Sequence, residues 1–287
     1  PGEAPAALII KARTFTLRSG GVLKVFGARA FGIASHFDAY IAGSIDASAD
    51  WSTVRAGPGA QGVSATCRGG YSAGSPSATG GAGGACAGGA SSGGVAGGPA
   101  STVVPPFIVG GCLGGKSTSP LDFPGLPGGG VLFSSRRRVH IAPTAVIDLT
   151  GTGGYGASGN ARGGGSGGNL VVFAPVAQVT SAARIYARGG GGAAAYSSEG
   201  FYGNDGPTSG AVGAAGATCP ACGTGGTGGY EAVCTGGAGT GAAGGGIAGG
   251  GGASGSCAFY SLSGAADAST AATRCVRVSE PLQPRSP

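Results

Sequence analysis

The chain has 287 residues, of which 68 are Gly and only 10% are charged, with 17 Lys+Arg against 11 Asp+Glu for a formal charge of +6. A Gly share of about a quarter, against roughly 7% in ordinary proteins, excludes a conventional apolar core along the whole length, because ordering a Gly costs roughly 0.5–1 kcal/mol more than ordering an Ala. The modest basic excess, without aromatic residues interleaved among the cations, argues against nucleic-acid binding, and no uninterrupted apolar run is long enough to predict a membrane span.

In chain order, Ala7-Leu8-Ile9-Ile10 and Val22–Phe26 are short apolar runs suited to strands of about five residues. Ile41–Ser48 then introduces a pattern that returns at Ala145–Gly151 and Ala183–Gly189, where a short alternating strand ends in a small residue and gives way to a loop or glycine tract. Strands at Leu23–Phe26, Val139–Ile141 and Leu170–Phe173 precede these three and are bounded by Gly, Pro or Ser. Phe107-Ile108-Val109 reads as a further strand, and Arg136-Arg137-Arg138 as a solvated strand edge. Neighbouring strands lie roughly 10–25 residues apart, so successive pairs predict the coils of a solenoid. The expected fold is all-β, a parallel β-helix.

Between the strands run Gly80–Pro99, Gly151–Gly168 and Gly223–Gly255, with a Gly-Gly-x rhythm in which x is mostly Ala, Ser or Thr. A three-residue period is the signature of an extended left-handed helix of the polyproline II type, which has no internal hydrogen bonds. Each of its backbone groups needs an outside partner, and chains without side chains approach closely enough to supply one another. Packed polyglycine helices are therefore expected, with flexible linkers as the alternative. The expected organisation is N-terminal coils over 1–78, a Gly-rich insertion over 79–130, central coils over 131–200, a Gly/Cys-rich segment over 201–275 and an extended Pro-rich tail over 276–287.

Eight cysteines, Cys67, Cys86, Cys112, Cys219, Cys222, Cys234, Cys257 and Cys275, form an even set that predicts disulfides and an oxidising compartment. Their connectivity is open, since eight cysteines allow 105 pairings. The chain contains no Met, for which a removed signal peptide is the simplest explanation. Secretion to the extracellular space or cell surface is the expectation.

Motifs that could carry chemistry fail on context. Gly110–Ser117 satisfies the phosphate-cradling pattern G-x-x-x-x-G-K-S, but Pro120, Pro124 and Pro127 follow where a helix is required. Gly151, Gly153 and Gly156 meet the dinucleotide pattern and likewise lead into glycine rather than a helix. Cys219-Pro220-Ala221-Cys222 reads as a structural disulfide, with a redox pair or a zinc site including Cys234 and Cys257 as alternatives. His36 and His140 lie in no catalytic motif, and Asp46, Asp122 and Asp148 are candidate glycosidase carboxylates that read more simply as turn residues. No catalytic residue, cofactor or metal ligand is assigned.

The segments Gly20–Ser35 and Ala42–Ser48, then Gly163–Gly192 with its Gly-Gly-Gly-Ser-Gly-Gly turn, resemble large glycine-rich surface proteins of myxobacteria and related bacteria. The glycine tracts also resemble the polyglycine-helix bundles of bacteriophage adhesins. These resemblances imply a β-helix at a cell surface and leave the mechanism open. The expected function is a non-enzymatic structural protein that self-associates into a filament, coat or surface layer. The alternative is an adhesin for a glycan or cell-surface receptor, with Tyr155, Tyr196, Phe201, Tyr202 and Tyr230 as contact candidates, and a polysaccharide-active enzyme stands third.

Overall fold

The computed structural model describes residues 7–60, 67, 69–72, 77–100, 108–116, 123–157, 159–196, 199–207, 213–230, 233–243, 245–261, 267–268, 273–274 and 276–281. Among them the chain is all-β, with no helix.

Three parallel sheets carry the architecture. The first takes Leu8–Ala12, Phe31–Ser35, Gly130–Ser135, Asn169–Phe173, Ser256–Ser261 and Val276–Pro281 in that order. The second takes Phe15–Leu17, Ala39–Ile41, Arg138–Ile141, Val176–Val179 and Asp267–Ala268. The third takes Val22–Lys24, Ser44–Asp46, Val146–Asp148, Arg184–Tyr186 and Thr273–Arg274. The chain visits the sheets in rotation, so each repeat gives one strand to each and pairs with its counterparts before and after.

Parallel pairing in register places like over like. Leu23, Ile45, Ile147 and Ile185 are neighbours along the third sheet, Ile41, Ile141 and Val179 along the second, and Ile33, Phe133, Val172 and Phe259 along the first. These rows meet in one buried cluster. β-Branched side chains suit a pleated, buried surface, and each such residue contributes roughly 1.5–3 kcal/mol when fully buried.

The repeat has three strands rather than the expected pair. The expected strands fall on different sheets in different repeats: Val139–Ile141 belongs to the second sheet and Leu170–Phe173 to the first, and the strands not anticipated include Phe31–Ser35 and Gly130–Ser135 of the first sheet and Val176–Val179 of the second, where the inward Ala177 is small. Phe107-Ile108-Val109 is a second correction: Phe107 lies outside the described residues, and Ile108 and Val109 are buried but not in a strand. The Val109 carbonyl accepts from Asn169 Nδ2 at 3.0 Å, so a side chain takes the place of a ladder partner.

The glycine tracts all enter at one corner, between the third-sheet strand of one repeat and the first-sheet strand of the next, at 47–129, 149–168 and 187–255. Their amides bond from tract to tract. Gly249, Gly252 and Gly255 donate to the carbonyls of Ala193, Gly190 and Ala187; Gly250 and Ala253 donate to Thr79 and Ala82; Gly251 and Ser254 donate to Gly237 and Cys234, all at 2.6–3.1 Å. The partner changes with each residue and returns on the third, so successive N–H groups point in three directions around the axis. Antiparallel and parallel neighbours serve equally well. A Cβ on Gly250 would stand 1.9 Å from the Gly89 carbonyl oxygen, and one on Gly164 2.1 Å from that of Gly190. These tracts are called the glycine lattice below.

Disulfides join Cys67 to Cys112, Cys86 to Cys234 and Cys219 to Cys222. Cys257 is also disulfide-bonded, and Cys275 lies outside the described residues. The zinc alternative is thereby overturned, because Cys219, Cys222, Cys234 and Cys257 are all oxidised.

Asp46 and Asp148 are register neighbours on adjacent repeats. They act as turn residues: Asp46 Oδ1 accepts from the Ser48 hydroxyl at 2.7 Å, and Asp148 Oδ1 from the Thr150 amide at 3.0 Å. Burial pushes the Asp148 pKa up to about 6, opposed by the Thr150 hydrogen bonds and by Arg188 and reinforced by Asp46. A carboxyl whose folded pKa exceeds its unfolded value binds protons more tightly in the fold, so stability falls as pH rises from about 4 to about 6. Asp148→Asn keeps an acceptor for Thr150 and removes the buried charge. It is expected to stabilise the fold at pH 7.5 by on the order of 1–3 kcal/mol, raising the melting temperature, and to flatten the dependence between pH 4 and 6. Thermal melts across that range test this, and an Asn variant with the parent's pH slope contradicts it.

Candidate functional site

At the lattice side of the molecule, a turn is built around Asp50. Its Oδ1 accepts from the Ser52 amide at 2.8 Å and the Ser52 hydroxyl at 2.7 Å, and its Oδ2 from the Thr53 hydroxyl at 2.9 Å. These hydroxyls hold the Asp50 carboxyl below its ordinary pKa. Asp50 and Arg55 close the turn by exchanging backbone bonds at 2.8 and 2.9 Å. Val54 sits at φ +51°, a left-handed conformation that is costly for a β-branched residue. The turn therefore holds strain, and it presents Trp51.

Trp51 anchors by donating its indole N–H to the Gly153 carbonyl at 2.8 Å. Its ring centroid lies 6.4 Å from Phe123 and 6.3 Å from Tyr155; Phe123 and Tyr155 are 5.6 Å apart, and Tyr155 meets Tyr202 edge-on at 4.8 Å. Such separations are those of interacting aromatic pairs. Hydrogen bonding to Tyr155 raises the Tyr202 pKa, so the Tyr202 phenol stays neutral at physiological pH.

The rings come from four separate stretches of the chain and line a cleft of about 590 Å3 with Val54, Gly203, Asn204 and Asp205. Asp205 is exposed as a residue, but its carboxyl turns inward to accept the Gly153 amide at 2.9 Å. Desolvation there raises its pKa, with the nearby Asp50 adding and the Gly153 bond opposing. Among the described residues no Lys, Arg or His lines the cleft. The wall thus offers flat apolar faces and, at one end, acceptors and an amide.

Of the five aromatic residues expected as contacts, only Tyr155 and Tyr202 reach this cleft. Tyr196 and Phe201 lie on the paired strands Ala194–Tyr196 and Glu199–Phe201 and are each 38% exposed. Tyr230 bridges to Val233 away from it. The reading missed Trp51, Phe123, Asn204 and Asp205. A lone Trp beside Asp-x-Ser-Thr, an Asx-type turn signal, was the mark that could have found the first.

The rejected motifs are explained by the lattice. In the phosphate-cradling look-alike, the amides of Gly110, Gly111, Gly114 and Gly115 donate to the carbonyls of Gly59, Gly128, Gly125 and Gly80. In the dinucleotide look-alike, Gly151 and Gly154 donate to Arg188 and Gly191. No amide of these remains for a phosphate. His36 is exposed, and the nearby Asp38 pairs with Arg138 at 3.2 Å and Arg137 at 3.9 Å. Asp46 and Asp148 lie side by side on one sheet rather than across a groove, and Asp122 lies outside the described residues. Among the described residues, no group of three or more His, Cys, Asp or Glu side chains could hold a metal ion, and no helix is long and apolar enough to cross a membrane. The chain matches no protein-family model, no curated protein and no solved structure.

Proposed function

We propose that this chain is a secreted, non-enzymatic adhesive scaffold: a parallel β-helix, extended at one corner by a polyglycine II lattice, that presents the aromatic cleft to a glycan. The convergence of Trp51, Phe123, Tyr155 and Tyr202 on one cleft carries the reading. One face of a pyranose ring is a patch of C–H bonds, apolar and weakly positive, which suits the negative face of an aromatic ring. Asn204 and Asp205 provide donors and acceptors for the hydroxyls at the rim. Support for the β-helix comes from the threefold rotation of the strands through the sheets, and for the lattice from the three-residue return of its bonding partners. The disulfides suit an oxidising compartment.

Tyr202 is 57% exposed, so Tyr202→Ala changes the cleft without touching the core. A glycan array followed by calorimetry is expected to find binding that falls at least roughly fivefold in this variant, since removing one aromatic contact costs on the order of 1–3 kcal/mol. Absence of binding across the array, or equal affinity in the variant, sinks the proposal.

Self-assembly is the second reading. Leu8, Ile10, Val22 and Phe26 on the outer side of the first repeat are 55%, 48%, 63% and 64% exposed, and an open apolar strand edge invites pairing with another chain. Negative-stain imaging with size-exclusion chromatography of the unreduced protein separates the two: long particles favour assembly, and a small uniform species leaves the adhesive scaffold.

A further inference from the structure

Cys219 and Cys222 bracket the tip of the hairpin formed by Thr218–Cys219 and Gly223–Thr224. The bridge is poorly placed as a staple. It spans a sequence separation of 3, against 45 for Cys67–Cys112 and 148 for Cys86–Cys234, and the entropy a bridge removes from the unfolded chain shrinks with the loop it closes. The paired strands already hold its two ends together.

Its two sulfurs are unlike. Cys222 is fully buried among Ala194 and Ala217, whereas Cys219 packs at the edge of that cluster and stays partly exposed beside the exposed Pro220 and Ala221. The Cys222 amide donates to Cys219 Sγ at 2.9 Å, a hydrogen bond that favours the thiolate form of that sulfur. No ionisable side chain other than the two cysteines occurs between Thr218 and Thr224, so charge does not bar the approach of an anionic thiolate.

We propose that Cys219–Cys222 is a thiol–disulfide exchange site for an external thiol. The attacking thiolate bonds to Cys219 Sγ, the Cys219–Cys222 bond breaks, and Cys222 leaves as the thiolate and takes up a proton. A second thiolate then attacks the mixed disulfide at the sulfur of the first, forming the external disulfide and releasing Cys219 as a thiolate. Two thiols are oxidised and one bridge is reduced. In reverse, the reduced pair attacks an external disulfide, releases two external thiols and regains its own bridge. The partner chemistry is a cysteine thiol, either free in a small molecule or carried on a polypeptide.

The test treats the full, oxidised protein with glutathione or with a peptide bearing one cysteine, followed by alkylation and mapping of each cysteine by mass spectrometry. Cys219 and Cys222 are expected to be labelled at least roughly tenfold sooner than Cys67, Cys86, Cys112 and Cys234, with the thermal transition unchanged. Cys222→Ser should capture oxidised glutathione on Cys219, while Cys219→Ser should react at least roughly tenfold more slowly. A faster reaction with the peptide than with glutathione assigns the site to polypeptide thiols, and the converse to small ones. Opening of all bridges together, or equal capture by the two serine variants, overturns the proposal.

Discussion

Gly250→Ala is expected to prevent stable folding, although it adds only one methyl group. The new Cβ would stand 1.9 Å from the Gly89 carbonyl oxygen, 2.5 Å from its carbon and 2.8 Å from the Ala90 oxygen. All three atoms are backbone, so relief requires moving a whole tract. That movement disturbs the bond from Gly250 to Thr79 and the one from Gly164 to Gly250. Overpacking of an ordinary core costs about 1–3 kcal/mol because side chains give way; here none is available, and the expected loss is at least about 3 kcal/mol. Gly93→Ala is the control. Its Cβ would meet only the Ser91 hydroxyl oxygen, at 3.8 Å, and a Gly replaced in compatible geometry tends to stabilise by about 0.4–1 kcal/mol. Denaturant melts of both variants provide the measurement, and comparable stability of the two refutes the lattice account.

The second large effect is expected from the Cys86–Cys234 bridge, which spans 148 residues. Chain entropy assigns about 5 kcal/mol to a loop of that length, close to the whole stability of many domains. Cys86 lies between the tracts around Gly81 and Gly89, and Cys234 accepts at its carbonyl from Ser254, so the bridge ties together segments that carry few side chains to recognise one another. The Cys86→Ser, Cys234→Ser double variant is expected to lose several kcal/mol in urea melts and to refold more slowly. A loss under about 1 kcal/mol would show that the lattice finds its register unaided.

Legibility in the sequence followed side-chain pattern. The third-sheet strands Ser44–Asp46, Val146–Asp148 and Arg184–Tyr186 announced themselves because an inward Ile is followed by Asp or Tyr and then by an apolar residue, Ala47, Leu149 or Ala187. In the second sheet Val139–Ile141 was legible from its two inward β-branched residues, whereas Val176–Val179 was harder to see, since Ala177 fills an inward position where a reader looks for bulk. The three-residue rhythm of the tracts was legible, but which tract bonds to which was not: neighbouring Gly-rich segments carry no label, and the partners of Gly249 to Gly255 are scattered from Thr79 to Gly237. The cleft was half legible for a related reason. Tyr155 and Tyr202 stood out as aromatic residues among glycines, whereas Trp51 and Phe123 belong with them only because the corner insertions fold back on one another.

The rotation of bonding directions within the lattice has a mechanical consequence. In a sheet, hydrogen bonds lie in one plane, and a pull across that plane opens them one after another like a seam. Around the tract from Gly249 to Gly255, bonds leave toward three different neighbours, so a pull from any side loads some bonds along their length and others in shear. Such a body has no plane of easy cleavage, so stretched between its two ends it should yield in one high-force event rather than in a staircase of small ones.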